Sequence, residues 1–196
     1  MTAGAPAAEG KAIRAFVALP LPDSLSKRVA DAMRRLKPVV PGLRFVRDEG
    51  AHVTLRFLGW TKADRLAPLE AALRAAAFLC PPAEIAVRGL GTFPERGSPR
   101  VLWLGLAMPP AVQVLQEACE RAAVAAGFEP EPRAFHPHLT LGRWRDRTPR
   151  PSLPPIDLGS AVADRLVLYR SDLRLSGSVY TPLAVFPLVG APAPLR

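Results

Sequence analysis

Apolar and polar positions along this chain follow two rhythms, and the pair of rhythms is played twice. Ile13 to Leu19 is a short apolar run closed by Pro20 and Pro22, the pattern of a buried strand. Leu25, Val29, Met33 and Leu36 then recur at helical spacing, which predicts a helix capped by Asp23 or Ser24 and running to about Lys37. Pro38, Pro41 and Gly42 break it. Leu43 to Val46 reads as a short strand, Arg47-Asp48-Glu49-Gly50 as a turn, and His52 to Leu58 as a strand that Gly59 ends. Ala63 to Phe78 is a second helix, with Leu66, Leu69 and Leu73 on one stripe and Cys80-Pro81-Pro82 as its stop. Glu84 to Leu90 is a strand, and Gly91 to Pro99 a loop.

The pattern then restarts. Arg100-Val101-Leu102-Trp103-Leu104 matches Arg14-Ala15-Phe16-Val17-Ala18 at an offset of 86 positions. Pro109 and Pro110 lead a helix to about Ala126, ended by Gly127. His138-Leu139-Thr140-Leu141 repeats His52-Val53-Thr54-Leu55 at the same offset of 86. Thr148 to Pro155 is a Pro-rich loop, and Ala161 to Tyr169 and Val179 to Leu188 are final strands separated by a turn at Ser176-Gly177. Each half thus reads strand, helix, strand, which predicts an internal duplication. The expectation is one α+β domain of two similar lobes about a pseudo-two-fold axis, with halves near 11–97 and 98–196. Residues 1–10 are expected to be a disordered tail, not a signal peptide, because they are small and Ala-rich with no basic start and no sustained apolar run.

Composition narrows the setting. The formal net charge of +9 favours an anionic partner, nucleic acid first. Only four of the basic residues are Lys, so Arg, with its planar fork for phosphate, carries most of the charge. Cys80 and Cys119 form neither a metal motif nor a disulfide framework, so a reducing cytoplasm is expected. No run is apolar enough to span a membrane.

The repeated word carries the chemistry. In each copy His and Thr are two apart, so on a strand they share one face while Val53/Leu55 or Leu139/Leu141 are buried on the other. Facing copies would surround one cleft with two imidazoles and two hydroxyls. Two imidazoles can act as acid and base in one in-line displacement at phosphorus, and the hydroxyls can donate to oxygens that gain charge. Strand pattern alone leaves open which His does which. A zinc reading competes, but neither word carries a nearby carboxylate, and Pro137 makes His136 and His138 an awkward pair. There is no Gly-x-Ser-x-Gly elbow and no triphosphate-cradling Gly loop.

These residues resemble the 2H phosphoesterase superfamily, with its two His-x-Thr/Ser-x motifs, and within it the RNA 2′,3′-cyclic phosphodiesterases, or 2′-5′ RNA ligase-like proteins. The likeness runs through Arg14–Leu19, Phe45-Val46-Arg47, His52–Gly59, Gly91-Thr92-Phe93-Pro94, Pro99–Trp103, Phe135–Arg143, Leu168–Ser171 and the Tyr180 region. It implies two lobes, each an antiparallel sheet backed by helices, with the active site between them. It implies that His52 donates a proton to the leaving group and His138 is the general base. Thr54, Thr140 and Arg143 would hold the phosphate. The implied reaction opens a terminal 2′,3′-cyclic phosphate on RNA, tRNA fragments among the substrates, to a 2′-phosphate. Ligation through a 2′-5′ linkage without ATP would be its reversal. Neither metal nor nucleotide cofactor is implied, and a monomer is expected.

Further contacts are less specific. Phe16 and Phe45 are candidates to stack on a base, against the plainer expectation of strand core. Arg56, two after Thr54, is a candidate for the functional face, against a solvated edge arginine. Arg100 is a candidate RNA-backbone contact, and His136 either shapes the cleft or is a bland loop residue. Trp103, Trp144, Tyr169 and Tyr180 are expected to be packing residues. The rival activities are a phosphodiesterase acting on small cyclic nucleotides and a 3′-end trimming enzyme. The rival class is a non-catalytic module that binds RNA ends.

Overall fold

The computed structural model describes residues 12–46, 51–174 and 177–191. The expected tail at 1–10, the turn Arg47–Gly50 and Ser176 of the last turn lie outside the described residues. Among the described residues, nine strands and three α-helices follow in chain order: β1 (Ile13–Pro20), α1 (Asp23–Leu36), β2 (Leu43–Phe45), β3 (His52–Thr61), α2 (Leu66–Leu79), β4 (Ala83–Phe93), β5 (Val101–Ala107), α3 (Pro110–Ala125), β6 (His138–Trp144), β7 (Asp157–Ala163), β8 (Arg165–Arg174) and β9 (Gly177–Pro187). A short 3-10 turn at Ala63–Arg65 precedes α2.

The strands form two antiparallel sheets, β3-β1-β8-β9 and β2-β6-β5-β4-β7. The α+β, two-lobed expectation is met, but sheets and sequence halves do not coincide. β4, from the first half, lies inside the second sheet, and β8 and β9, from the end of the chain, complete the first. The pseudo-symmetry is instead one of neighbours: β3 pairs with β1 as β6 pairs with β5. β1 is an inner strand, and its apolar stretch from Ala15 to Leu19 is buried throughout, with Arg14 before it. Helices cover the sheets: α2 lies against β8, β9 and α3, α3 against β3, and α1 against β7. One apolar core runs through both lobes, from Leu19, Leu25 and Leu69 to Leu104, Leu115 and Leu141.

Four boundary expectations need correction. The α1 N-terminus has no side-chain cap from Asp23 or Ser24; Pro22 holds that position, and its carbonyl accepts the Leu25 and Ser26 amides at 3.0 and 2.9 Å. Gly59 does not end β3: it takes a φ of 70° at a bulge, and pairing continues to Thr61. Gly91 to Phe93 belong to β4 and not to a loop, since Gly91 leaves the space that the Trp103 indole fills. Ala161–Tyr169, expected as one strand, belongs to two strands in different sheets, divided at Asp164, whose carbonyl accepts the Leu188 amide at 2.8 Å.

Candidate active site

Each His-x-Thr word sits on a strand whose alternation is interrupted at the same place. Val17 pairs with Arg56 and Ala18 with Thr54, so Leu55 is an extra residue; Leu102 pairs with Gly142 and Trp103 with Thr140, so Leu141 is extra. Such a bulge turns two successive side chains to one side and shifts the later alternation by one. Leu55 and Arg56 are therefore both buried, as are Leu141 and Gly142. The residue returned to the His/Thr face is the fifth after each His: Phe57 in one strand and Arg143 in the other. These two are equivalent at the 86-residue offset, a cation facing the cleft on one side and an aromatic ring on the other.

One cleft of about 510 Å³ receives both words. His52, Thr54, His138, Thr140, Arg143, Phe16 and Phe45 all line it, with Arg14, Arg44, Phe57, Ser171 and Tyr180. Its described lining carries three Arg and two His and no carboxylate, so its field favours an anion.

The two imidazoles are held differently. His138 Nδ1 lies 2.7 Å from the His136 carbonyl. A carbonyl only accepts, so Nδ1 carries the proton, and in the neutral ring Nε2 keeps a lone pair. The Phe93 ring stands edge-on to His138, 5.2 Å away. His52 is walled by aromatic rings: Phe16 at 4.7 Å, the Tyr180 edge at 5.0 Å and Tyr169 at 6.0 Å. Burial pushes the Tyr169 phenol up, with Arg165 pulling it down in part, so at neutral pH it is an uncharged wall. Tyr169 and Tyr180, expected as plain packing, thus fix the first imidazole; their strand partners Phe16 and Ser171 set them on the cleft face.

Three candidates lie elsewhere. Arg56 is not on the functional face and is not a solvated edge arginine: it is 6% exposed, with Nε 2.7 Å from Glu120 Oε2 and Nη1 3.8 Å from Glu131. Its guanidinium also donates to the carbonyls of Phe57, at 3.0 Å, and Glu129. The bulge at Leu55 put it there. Arg100 is tied to the Arg145 carbonyl at 2.6 Å, outside the cleft. The His136 ring is exposed and away from the lining, so only its backbone serves the site. Phe16 is 2% exposed, so it supports His52 and does not offer a face to a base, whereas Phe45 is half-buried at the rim. Sequence reasoning missed Arg14, Arg44 and Phe57; the offset that links Phe57 to Arg143 was the available signal for one of them. Among the described residues, no group of three or more His, Cys, Asp or Glu gathers to hold a metal ion.

The sequence matches a family model described as LigT-like phosphoesterase over residues 19–103 and 106–180. An RNA 2′,3′-cyclic phosphodiesterase of Methanothermobacter thermautotrophicus is 34% identical across 90% of this chain and 99% of its own length. One of Geobacillus stearothermophilus is also 34% identical over 90% of this chain, which spans 58% of that longer relative. A crystal structure from Thermus thermophilus superposes with a TM-score of 0.80 at 30% identity, covering 91% of this chain and 99% of the other. E. coli LigT complexed with 3′-AMP gives 0.76 at 27% identity, covering 91% and 99%.

Proposed function

The chain belongs to the LigT-like phosphoesterase family, and from that premise we propose that it is a phosphoric diester hydrolase that opens the 2′,3′-cyclic phosphate at an RNA end, leaving a 2′-phosphate. The observation that carries this reading is the single basic cleft in which two imidazole–hydroxyl strands meet. The names of its relatives support the substrate class.

Water attacks phosphorus opposite the ribose O3′. His138 takes the water's proton at Nε2, the nitrogen left with a lone pair by the bond to His136. His52, steadied by Phe16 and Tyr180, gives a proton to O3′ as the P–O3′ bond breaks. The Thr54 and Thr140 hydroxyls and the Arg143 guanidinium donate to the non-bridging oxygens, where negative charge grows. Threonine suits this task because a β-branched side chain on a strand has few rotamers to lose. The donor set supports a metal-independent route, since acid, base and charge stabilisation all come from side chains of the cleft. A 5′-hydroxyl in place of water would give 2′-5′ ligation by the same proton transfers, without ATP. A single chain supplies every group, which supports a monomer, and the free thiols of Cys80 and Cys119 support a reducing cytoplasm. No helix among the described residues is long and apolar enough to cross a membrane.

The test incubates the protein, with excess chelator, with a short RNA ending in a 2′,3′-cyclic phosphate and locates the product phosphate by 31P NMR. Turnover to a 2′-phosphate, lost in His52→Ala and in His138→Ala, is expected. RNA binding retained without turnover on RNA or small cyclic nucleotides would replace this reading with a binding module.

A further inference from the structure

β3 carries a second bulge beyond the catalytic word. Phe16 pairs with Phe57 and Ala15 with Gly59, which makes Leu58 the extra residue. The alternation shifts once more, Leu58 is buried, and Trp60 comes to the face that holds His52, Thr54 and Phe57. Trp60 is 72% exposed and Phe57 40%. On the adjoining strand Arg14 pairs with Trp60, and its guanidinium stands over the Phe57 ring, 4.7 Å from the centroid. Outward from the catalytic end, one strand face thus presents imidazole, hydroxyl, phenyl and indole, with a cation at the last two.

A lone exposed indole is ordinary on a protein surface. Trp60 differs in being continuous with a phosphate-attracting cleft and in having a cation as its cross-strand neighbour. Aromatic faces alternating with positive charge are how single-stranded nucleic acid is held without sequence reading, bases on rings and phosphates on cations. From Phe57 to Trp60 the strand advances about 7–10 Å at ~3.3 Å per residue, comparable to one nucleotide step of an extended strand. Building on the cyclic phosphodiesterase reading, we infer that the RNA strand 5′ of the cyclic end leaves the cleft along β3. Phe57 and Trp60 are successive base platforms and Arg14 holds the phosphate between them. The reaction itself needs only the terminal nucleotide, so this path sets preference for an oligonucleotide over a cyclic mononucleotide.

The experiment compares a 2′,3′-cyclic mononucleotide with a trinucleotide ending in a 2′,3′-cyclic phosphate, using the full chain, Trp60→Ala and Trp60→Phe. Trp60→Ala is expected to raise KM for the trinucleotide about tenfold, within the range of base–aromatic stacking. kcat should stay within about twofold, kinetics on the mononucleotide should be unmoved, and Trp60→Phe should recover most of the loss. An unchanged trinucleotide KM in Trp60→Ala overturns the path and leaves the cyclic phosphodiesterase reading standing. Should the unmodified protein turn over neither substrate, that reading fails, and the path is judged by fluorescence anisotropy with the labelled trinucleotide. Weaker binding by Trp60→Ala then supports it, and equal affinity overturns it.

Discussion

Arg56→Met separates a structural arginine from a substrate-binding one. The side chain is 6% exposed and forms ion pairs from β3 to Glu120 of α3 at 2.7 Å and to Glu131 at 3.8 Å, while its terminal nitrogens donate to two backbone carbonyls. Removing one member of a buried pair costs about 3–5 kcal/mol, because the other charge is left desolvated. Here both glutamates keep about a quarter of their exposure, 24% and 25%, so water screens part of that cost. Methionine also keeps the apolar stem packed. The expected loss is about 2–3 kcal/mol, which for a chain of this length lowers Tm by roughly 5–10 °C. Adding Glu120→Gln should cost less than the sum of the single changes, since the stranded carboxylate is gone. Differential scanning fluorimetry reads the stability, and steady-state kinetics well below Tm read the site, where kcat/KM should stay within about threefold. An unchanged Tm with a raised KM for cyclic-ended RNA would refute the placement of Arg56 and the bulge argument with it.

Replacing either His52 or His138 with Asn should lower kcat by roughly 10²–10⁴, the range for a positioned acid or base, and the double variant should be little worse than the poorer single one, as single-turnover rates would show. Gly142→Ala should loosen β2 from β6, because the new Cβ would lie 2.6 Å from the Arg44 carbonyl. A loss of about 1–3 kcal/mol in urea titration is expected for such crowding, with KM raised since β2 carries Arg44 and Phe45 to the cleft. The Cys119 thiol is fully buried and pushed up from 9.0 to about 12 by burial, with Cys80 adding to it. The folded state then holds this proton more tightly than the unfolded one, so its share of stability is complete below about pH 9 and is lost as pH rises toward 12. Cys119→Ala should flatten that alkaline decline, and an Ellman reagent assay at pH 8 should find the thiol unreactive until the chain unfolds.

The parts of the molecule that periodicity reveals are those whose environment is uniform along the element. α1 buries Leu25, Val29, Met33 and Leu36 at helical spacing, and that spacing was visible. The His/Thr face of each strand was visible too, since Val53, Leu55, Leu139 and Leu141 are all buried opposite it. What alternation cannot show is an extra residue. Each bulge reverses the faces of everything after it: the first hid Phe57 and sent Arg56 into the interior, and the second undoes it, returning Trp60 to the face that plain alternation from His52 gives. Pairing partners were equally invisible: the charged pair Asp164-Arg165 interrupts Ala161–Tyr169, but nothing there shows that the chain leaves one sheet for the other. Tyr169 and Tyr180 come to His52 only through the β1–β8–β9 pairing, a contact between the two ends of the chain.

That pairing also sets an order of assembly. β1 precedes every other described strand, yet its second neighbour is β8, about 150 residues later, with β9 beyond it. The sheet bearing His138 can close as soon as β7 has emerged, whereas the sheet bearing His52 must wait for β8 and β9. Closing so long a loop is the slow, entropically costly part of such a topology. A nascent chain therefore cannot complete the wall around His52 until β8 and β9 have emerged, and a chain cut before that hairpin keeps both histidines but lacks Tyr169 and Tyr180 beside the first of them.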